Sequence, residues 1–325
     1  MSVSSTSVAR STQDPAAAPF GAQRRGPWER VRRSSTPYLF LAPFGILFAA
    51  FFLAPILYAF KLSLYTLHRH PSLNGATSVT SFTWLDQYRR AFTDSDFITG
   101  IEHMVAFGVI QVPVMLTLAL TFALLLDSVY VRFKPFFRLS FFIPFAIPGV
   151  VATLLWGYFY TPSLSPVIGA WTSLGLSTPT FFIPVSHLLA SVGNVVTWEW
   201  AGYNMIIITA SLQSISTEIY EAAGLDGCGG WRTAWYIKIP MVRPALILTT
   251  IFSIIGTLQL FNEFSVFNQG GLASIDANVT PNYYAYTQAF QYNDFNYAAT
   301  ISFSLAIVTF IFSIVFLSLT NRRAE

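Results

Sequence analysis

Glu199 and Glu263 each interrupt an apolar run long enough to cross a membrane, and each is set among aromatic and amide side chains. Glu199 lies in Trp198-Glu199-Trp200-Ala201-Gly202-Tyr203-Asn204, and Glu263 follows Gln259 and Asn262. A carboxylate at that depth is costly unless it faces a wet cavity or a partner, so both are candidates for function. Helical spacing puts Val196, Glu199, Trp200 and Tyr203 on one face, and Gly256, Gln259 and Glu263 on a matching face of the next span, with Asn262 beside it. Aromatic rings cover the apolar C–H patches of a sugar while a carboxylate accepts from its hydroxyls. The chemistry indicated is reversible recognition of a polyhydroxylated solute. For all three polar residues, a structural bond to a partner subunit is the competing reading.

Covalent and metal chemistry have no seat in the chain. It contains no GxxxxGK[S/T], HExxH, GxSxG or CxxC motif, so it cannot cradle a nucleotide phosphate by itself. The single cysteine, Cys228, excludes an internal disulfide. His68 and His70 could suggest a metal pair, but with no further ligand nearby an exposed loop is the stronger reading. No metal site and no bound cofactor are expected, and nothing resembles a nucleic-acid surface.

The elements that must position these residues are membrane helices. Of 325 residues, 54% are hydrophobic and only 10% charged, too few charges for the surface of a soluble domain of this size. A spanning helix needs about 20 predominantly apolar residues. Six segments qualify, near 38–60, 104–126, 139–160, 187–212, 245–264 and 298–320. With the N-terminus inside, fourteen Lys and Arg fall on the cytosolic side and four outside, which orients both termini to the cytosol. Residues 1–36 are expected to form a disordered basic cytosolic tail without a signal peptide, and 37–325 the transmembrane domain. Pro144 and Pro148 are expected to kink the third span.

The fourth and fifth spans are joined by a loop over 213–244 whose centre reads YEAAGLDGCGGWRTAWYIKIPMVRP. Ile219 to Leu225 can form a short helix with Glu221 early in it, and the glycines that follow stop it. Pro244 suits the first turn of the next span.

The order Glu221-Ala222-Ala223, Asp226-Gly227, Trp231, Ile237, Pro240 resembles the EAA signature of membrane subunits in binding-protein-dependent ABC importers of the sugar, maltose-transporter type. An accidental EAA triplet in an amphipathic loop is the bland alternative, and the spacing kept through Pro240 argues against it. Cys228 stands where the family usually has Ala, and Ala234 where it usually has an aromatic. The stretches 82–97, 254–271 and 286–303 also resemble sugar-type members, and the likeness runs from about Tyr38 to Leu319.

The resemblance implies an all-α integral membrane protein of the type I importer permease fold. Glu221, Ala222, Ala223, Gly224, Asp226 and Gly227 would form a coupling helix seated on a cytosolic ATPase. The substrate pathway would include Val196, Glu199, Trp200, Tyr203, Ile255, Gly256 and Gln259, to which the helical-face reading adds Glu263. The implied partners are a homologous second permease, an ATPase dimer that uses ATP and Mg, an extracytoplasmic sugar-binding protein and membrane lipid. The expected site is the cytoplasmic membrane of a prokaryote, with alternating-access carbohydrate import as the function. The alternatives are glycerol-phosphate or polyol as cargo, or an ion-coupled secondary carrier, which would use Glu199 and Glu263 as ion sites. Outside the membrane, Trp84, Tyr88 and Phe92 are expected at headgroup level.

Overall fold

In a bilayer every backbone N–H and C=O must be satisfied within the protein, so long apolar runs fold as helices. The computed structural model describes residues 38, 40–70, 77–128, 130–177 and 185–321 and is mostly helical. The expected basic tail at 1–36 lies outside the described residues. In chain order come α1 (Phe40–Ser63), a hairpin of β1 (Tyr65–His70) and β2 (Thr77–Phe82), α2 (Asp86–Ala91), α3 (Ser95–Asp127), α4 (Lys134–Ala146) and α5 (Gly149–Tyr160). They are followed by α6 (Pro166–Ser173), α7 (Val185–Gln213), α8 (Thr217–Leu225) and α9, residues 230–241, widened to a π turn at Ala234–Lys238. The last elements are α10 (Arg243–Leu258), α11 (Asn262–Gln269), α12 (Pro281–Tyr286) and α13 (Phe295–Asn321). Two compact units divide after Leu57. Within the first, Phe44, Phe48 and Phe52 stack along one side of the helix.

Four of the expected spans are helices long and apolar enough to cross a membrane: α1, α3, Arg243–Gln269 and α13. The other two differ from expectation. Span three is not one kinked helix but two, α4 and α5, meeting at 95°. Ile147 and Pro148 are extended there, because a proline cannot donate the helical bond and pushes its predecessor off helical angles. Span four is α7, 29 residues and about 43 Å long, but its polar residues make it less apolar than the rest.

The fifth span is broken as well. α10 ends at Leu258, and the chain restarts as α11 only at Asn262. Two of the carbonyls released at the break are taken up from elsewhere: Gln259 O accepts from Asn282 Nδ2 at 2.7 Å and Leu260 O from Thr280 Oγ1 at 3.0 Å. The break is therefore held by the first turn of α12 and by Thr280, which caps it.

The stretch around His68 and His70, expected as an exposed loop, is a hairpin and departs from the all-α class. Thr66, Thr77, Val79 and Thr80 are β-branched and pair in antiparallel register from Tyr65↔Phe82 to His70↔Thr77. His68 Nε2 lies 2.8 Å from Ser81 Oγ. Trp84 and Phe92 are exposed, but Tyr88 is buried with its hydroxyl 2.7 Å from Ser63 Oγ.

α3 and α7 form the most extensive helix pair and run the height of the second unit. One apolar cluster joins Phe97, Met104 and Phe107 of α3 to Val192 and Val195 of α7, Phe264 and Phe267 of α11, and Tyr297 of α13. A second, nearer α8 and α9, joins Ala119 and Ala123 to Met205, Ile208 and Val242. Small residues let the backbones close up. At Gly202 a Cβ would overlap the carbonyl oxygen of Phe141, so α7 and α4 touch backbone to backbone.

Candidate coupling surface and solute cavity

α8 begins after an extended Ser216 and carries Glu218 in its first turn, where a carboxylate suits the positive end of the helix dipole. It ends in a Schellman motif. Cys228 N donates to Ala223 O at 2.9 Å and Gly227 N to Gly224 O at 3.1 Å, while Gly227 takes φ +74°. Glycine has no Cβ to strain there. Glu221, Ala222, Gly224, Asp226 and Gly227 are exposed, as a docking surface requires. Ala223 is the exception. It is buried, so it seats α8 on its own protein and is not available to touch a partner.

The most prominent apolar groups on this knob are Leu225, 91% exposed, and Trp231, 80% exposed and stacked on Trp235. Sequence reading did not single out Leu225, although one leucine among Gly224, Asp226 and Gly227 is itself a signal. The knob is braced to the helix ends beneath it. Lys238 Nζ donates to Asp127 Oδ2 at 2.5 Å and stands 5.2 Å from the centre of the Tyr220 ring. Arg243 donates to the Thr320 carbonyl at 3.0 Å. Burial, and then the charge of Asp127, push the Tyr220 phenol above its ordinary range.

Further along the bundle, α3, α7, α10 and the break before α11 enclose a cavity of about 230 Å³. Val196, Trp200 and Tyr203 line it from α7, and Gly256, Gln259 and Glu263 from the broken span. These six predicted residues are brought together although α10 stops at Leu258 and α11 begins only at Asn262. Phe145 of α4 completes an aromatic corner, 4.5 Å and stacked on Tyr203 and 5.1 Å and edge-on to Trp200. Gln111 and Asn204 add amides. Sequence reading missed Gln111 and Phe145; a lone amide in the apolar run of span two was the available clue for the first.

Two predicted residues are elsewhere. Ile255 does not line the cavity. Glu199 is 7% exposed and turns to the start of α5, where a Cβ on Gly149 would lie 3.5 Å from its Oε1. It sits on the flank of the face defined by Val196, Trp200 and Tyr203, and the break at Pro148 brings the positive end of α5 to meet it. Glu263 is also 7% exposed. A larger hollow of about 670 Å³ lies along the earlier part of α7 beside α5 and α6, walled by Trp156, Tyr160 and Asn194, and it contains none of the predicted residues.

Known proteins resemble this chain over most of its length. The family model described as binding-protein-dependent transport system inner membrane component matches residues 115–322. The chain is 34% identical over 285 residues to the lactose transport system permease protein of Rhizobium radiobacter, covering 85% of this chain and 91% of that one. It is 28% identical over 293 residues to an arabinooligosaccharides transport system permease protein of Bacillus subtilis, covering 89% and 90%. The crystal structure of a bacterial ABC transporter involved in import of the acidic polysaccharide alginate matches with TM-score 0.74 at 18% identity, covering 92% of this chain and 99% of that one.

Proposed function

The chain belongs to the family of binding-protein-dependent transport system inner membrane components, and we propose that within it the chain is one of two membrane subunits of an ATP-driven carbohydrate importer. The observation that carries the reading is one chain holding both an exposed, braced knob at α8 and an aromatic, amide-lined cavity between α7 and the broken α10–α11 span. The names of the lactose and arabinooligosaccharide relatives support carbohydrate as the cargo.

In this reading both termini and the knob face the cytosol of a prokaryotic cell, and α8 docks on a separate ATPase dimer that binds ATP and Mg. A homologous second permease supplies the other wall of the pathway, and an extracytoplasmic binding protein delivers the sugar. Closure of the ATPase dimer draws the two knobs together, and the cavity changes the side to which it opens. Such a cycle turns only if its ligands bind the two states with different affinity. Glu221→Lys tests it: the variant inserts normally but loses sugar uptake and ATPase coupling. Normal uptake by that variant refutes the assignment.

A further inference from the structure

The cavity walls differ from those of a site built for an anion. Glu263 is the only acidic or basic side chain among the described residues that line the cavity, and it is an acid. No Lys or Arg occurs anywhere in residues 139–231 or 244–321, which include α5, α7, α11, α13 and all of α10 after its first residue, Arg243, and none occurs within α3.

Hydrogen-bonding capacity points the same way. Gln111 is 5% exposed, its Nε2 faces Thr197 and Met115, and its Oε1 is buried with no partner. An unmatched buried acceptor is costly and calls for a donor. Glu263 is a second acceptor when ionised. A cargo hydroxyl can donate to either acceptor, whereas an ionised carboxylate or phosphate group cannot. The alginate importer shows that this fold admits an acidic cargo, so the choice rests with side chains and not with architecture.

From these observations we infer that Glu263 and Gln111 make this subunit selective for uncharged, hydroxyl-rich saccharides, and that uronic acids and phosphorylated polyols such as glycerol phosphate are excluded by charge. This rests on the carbohydrate-import reading above. Glu263 acts as the specificity determinant. It accepts from a cargo hydroxyl and repels a cargo anion, while the Trp200–Tyr203–Phe145 corner covers the apolar face of the ring.

The test is equilibrium binding of labelled lactose, arabinobiose, digalacturonate and glycerol 3-phosphate to the complete purified transporter, with its partner subunits in place. At least one neutral probe binds, and both anions bind roughly tenfold or more weakly, as like-charge repulsion across a few ångströms requires. Glu263→Gln narrows that ratio and Glu263→Arg inverts it, with melting curves confirming that both variants fold. Anions binding within about threefold of the neutral probes, or a ratio unmoved by either substitution, overturns the inference. Failure of every saccharide, neutral or acidic, to bind or be taken up overturns the carbohydrate reading itself.

Discussion

Lys238 on the return limb of the knob and Asp127 at the end of α3 stand 111 residues apart in sequence and 2.5 Å apart in space. Both side chains are largely buried, and Lys238 is also set over the ring of Tyr220 at the front of α8. α3 in turn packs along most of α7, the helix that carries Trp200 and Tyr203. The ion pair is thus a mechanical tie between the knob and the helices around the cavity.

Asp127→Asn leaves a buried ammonium poorly paired, and a hydrogen bond to a charged group is worth about 1.5–3 kcal/mol. The expected result is a transporter that assembles but hydrolyses ATP without proportionate uptake. The charge-reversed pair Asp127→Lys with Lys238→Asp recovers part of that coupling. The ratio of sugar moved to ATP consumed in proteoliposomes is the measurement; an unchanged ratio in the single variant removes the tie from the mechanism.

Leu225 makes so little contact with its own chain that Leu225→Asp changes stability by no more than about 0.5 kcal/mol. Its effect falls on the docked partner. Co-purification with the ATPase drops sharply while the melting curve of the isolated membrane subunit stays where it was. Retained co-purification shows that α8 docks through other residues.

Gly227 holds φ +74° at the end of α8. A β-branched residue there costs about 1–2 kcal/mol and opens the Schellman motif. Gly227→Val is therefore expected to lose coupling and to expose the knob to proteolysis, whereas Gly227→Asn, which tolerates the same angles, keeps most of the function. Limited proteolysis of the two variants side by side separates them.

Asp94 caps α3 through the Asp96 amide, and its Oδ2 accepts from the hydroxyls of Tyr284 and Tyr297. Burial alone would raise its carboxyl pKa, but those phenols and the Asp96 and Phe97 amides outweigh it and hold the group below its ordinary value of 3.8. A depressed folded value means the stabilisation is complete above about pH 4 and is lost as pH falls through the folded value. Asp94→Asn keeps a good helix cap but not the charge. Its melting temperature should be lower than wild type at neutral pH and should change less than wild type on acidification below pH 4. Parallel curves for the two proteins exclude the cluster as a source of acid sensitivity.

Much of the knob was legible in sequence, because helix start, glycine stop and proline return are local chemistry. α8 occupies Thr217–Leu225, where Ile219 to Leu225 were expected, and Arg243 and Pro244 open α10. That Ala223 is the buried member of its triplet was not legible, because a triplet does not say which of its members faces inward. Of the cavity, Val196, Trp200, Tyr203, Gly256, Gln259 and Glu263 were legible. Phe145 and Gln111 were not, since they come from helices far away in sequence.

Local composition by itself determined that long apolar runs become helices, that the charged loop between α7 and α10 becomes a knob, and that acids and aromatic rings are set within spans. Those outcomes depend on solvation and backbone preference within about twenty neighbouring residues. Only the tertiary structure decided that span three turns through 95°, that α10 yields at Gln259 to Thr280 and Asn282, and that Glu199 turns to α5 while Glu263 opens onto the cavity. Each of those is settled by a partner supplied from another part of the chain, and hydrophobic periodicity carries no record of which distant carbonyl, carboxylate or ring will be at hand.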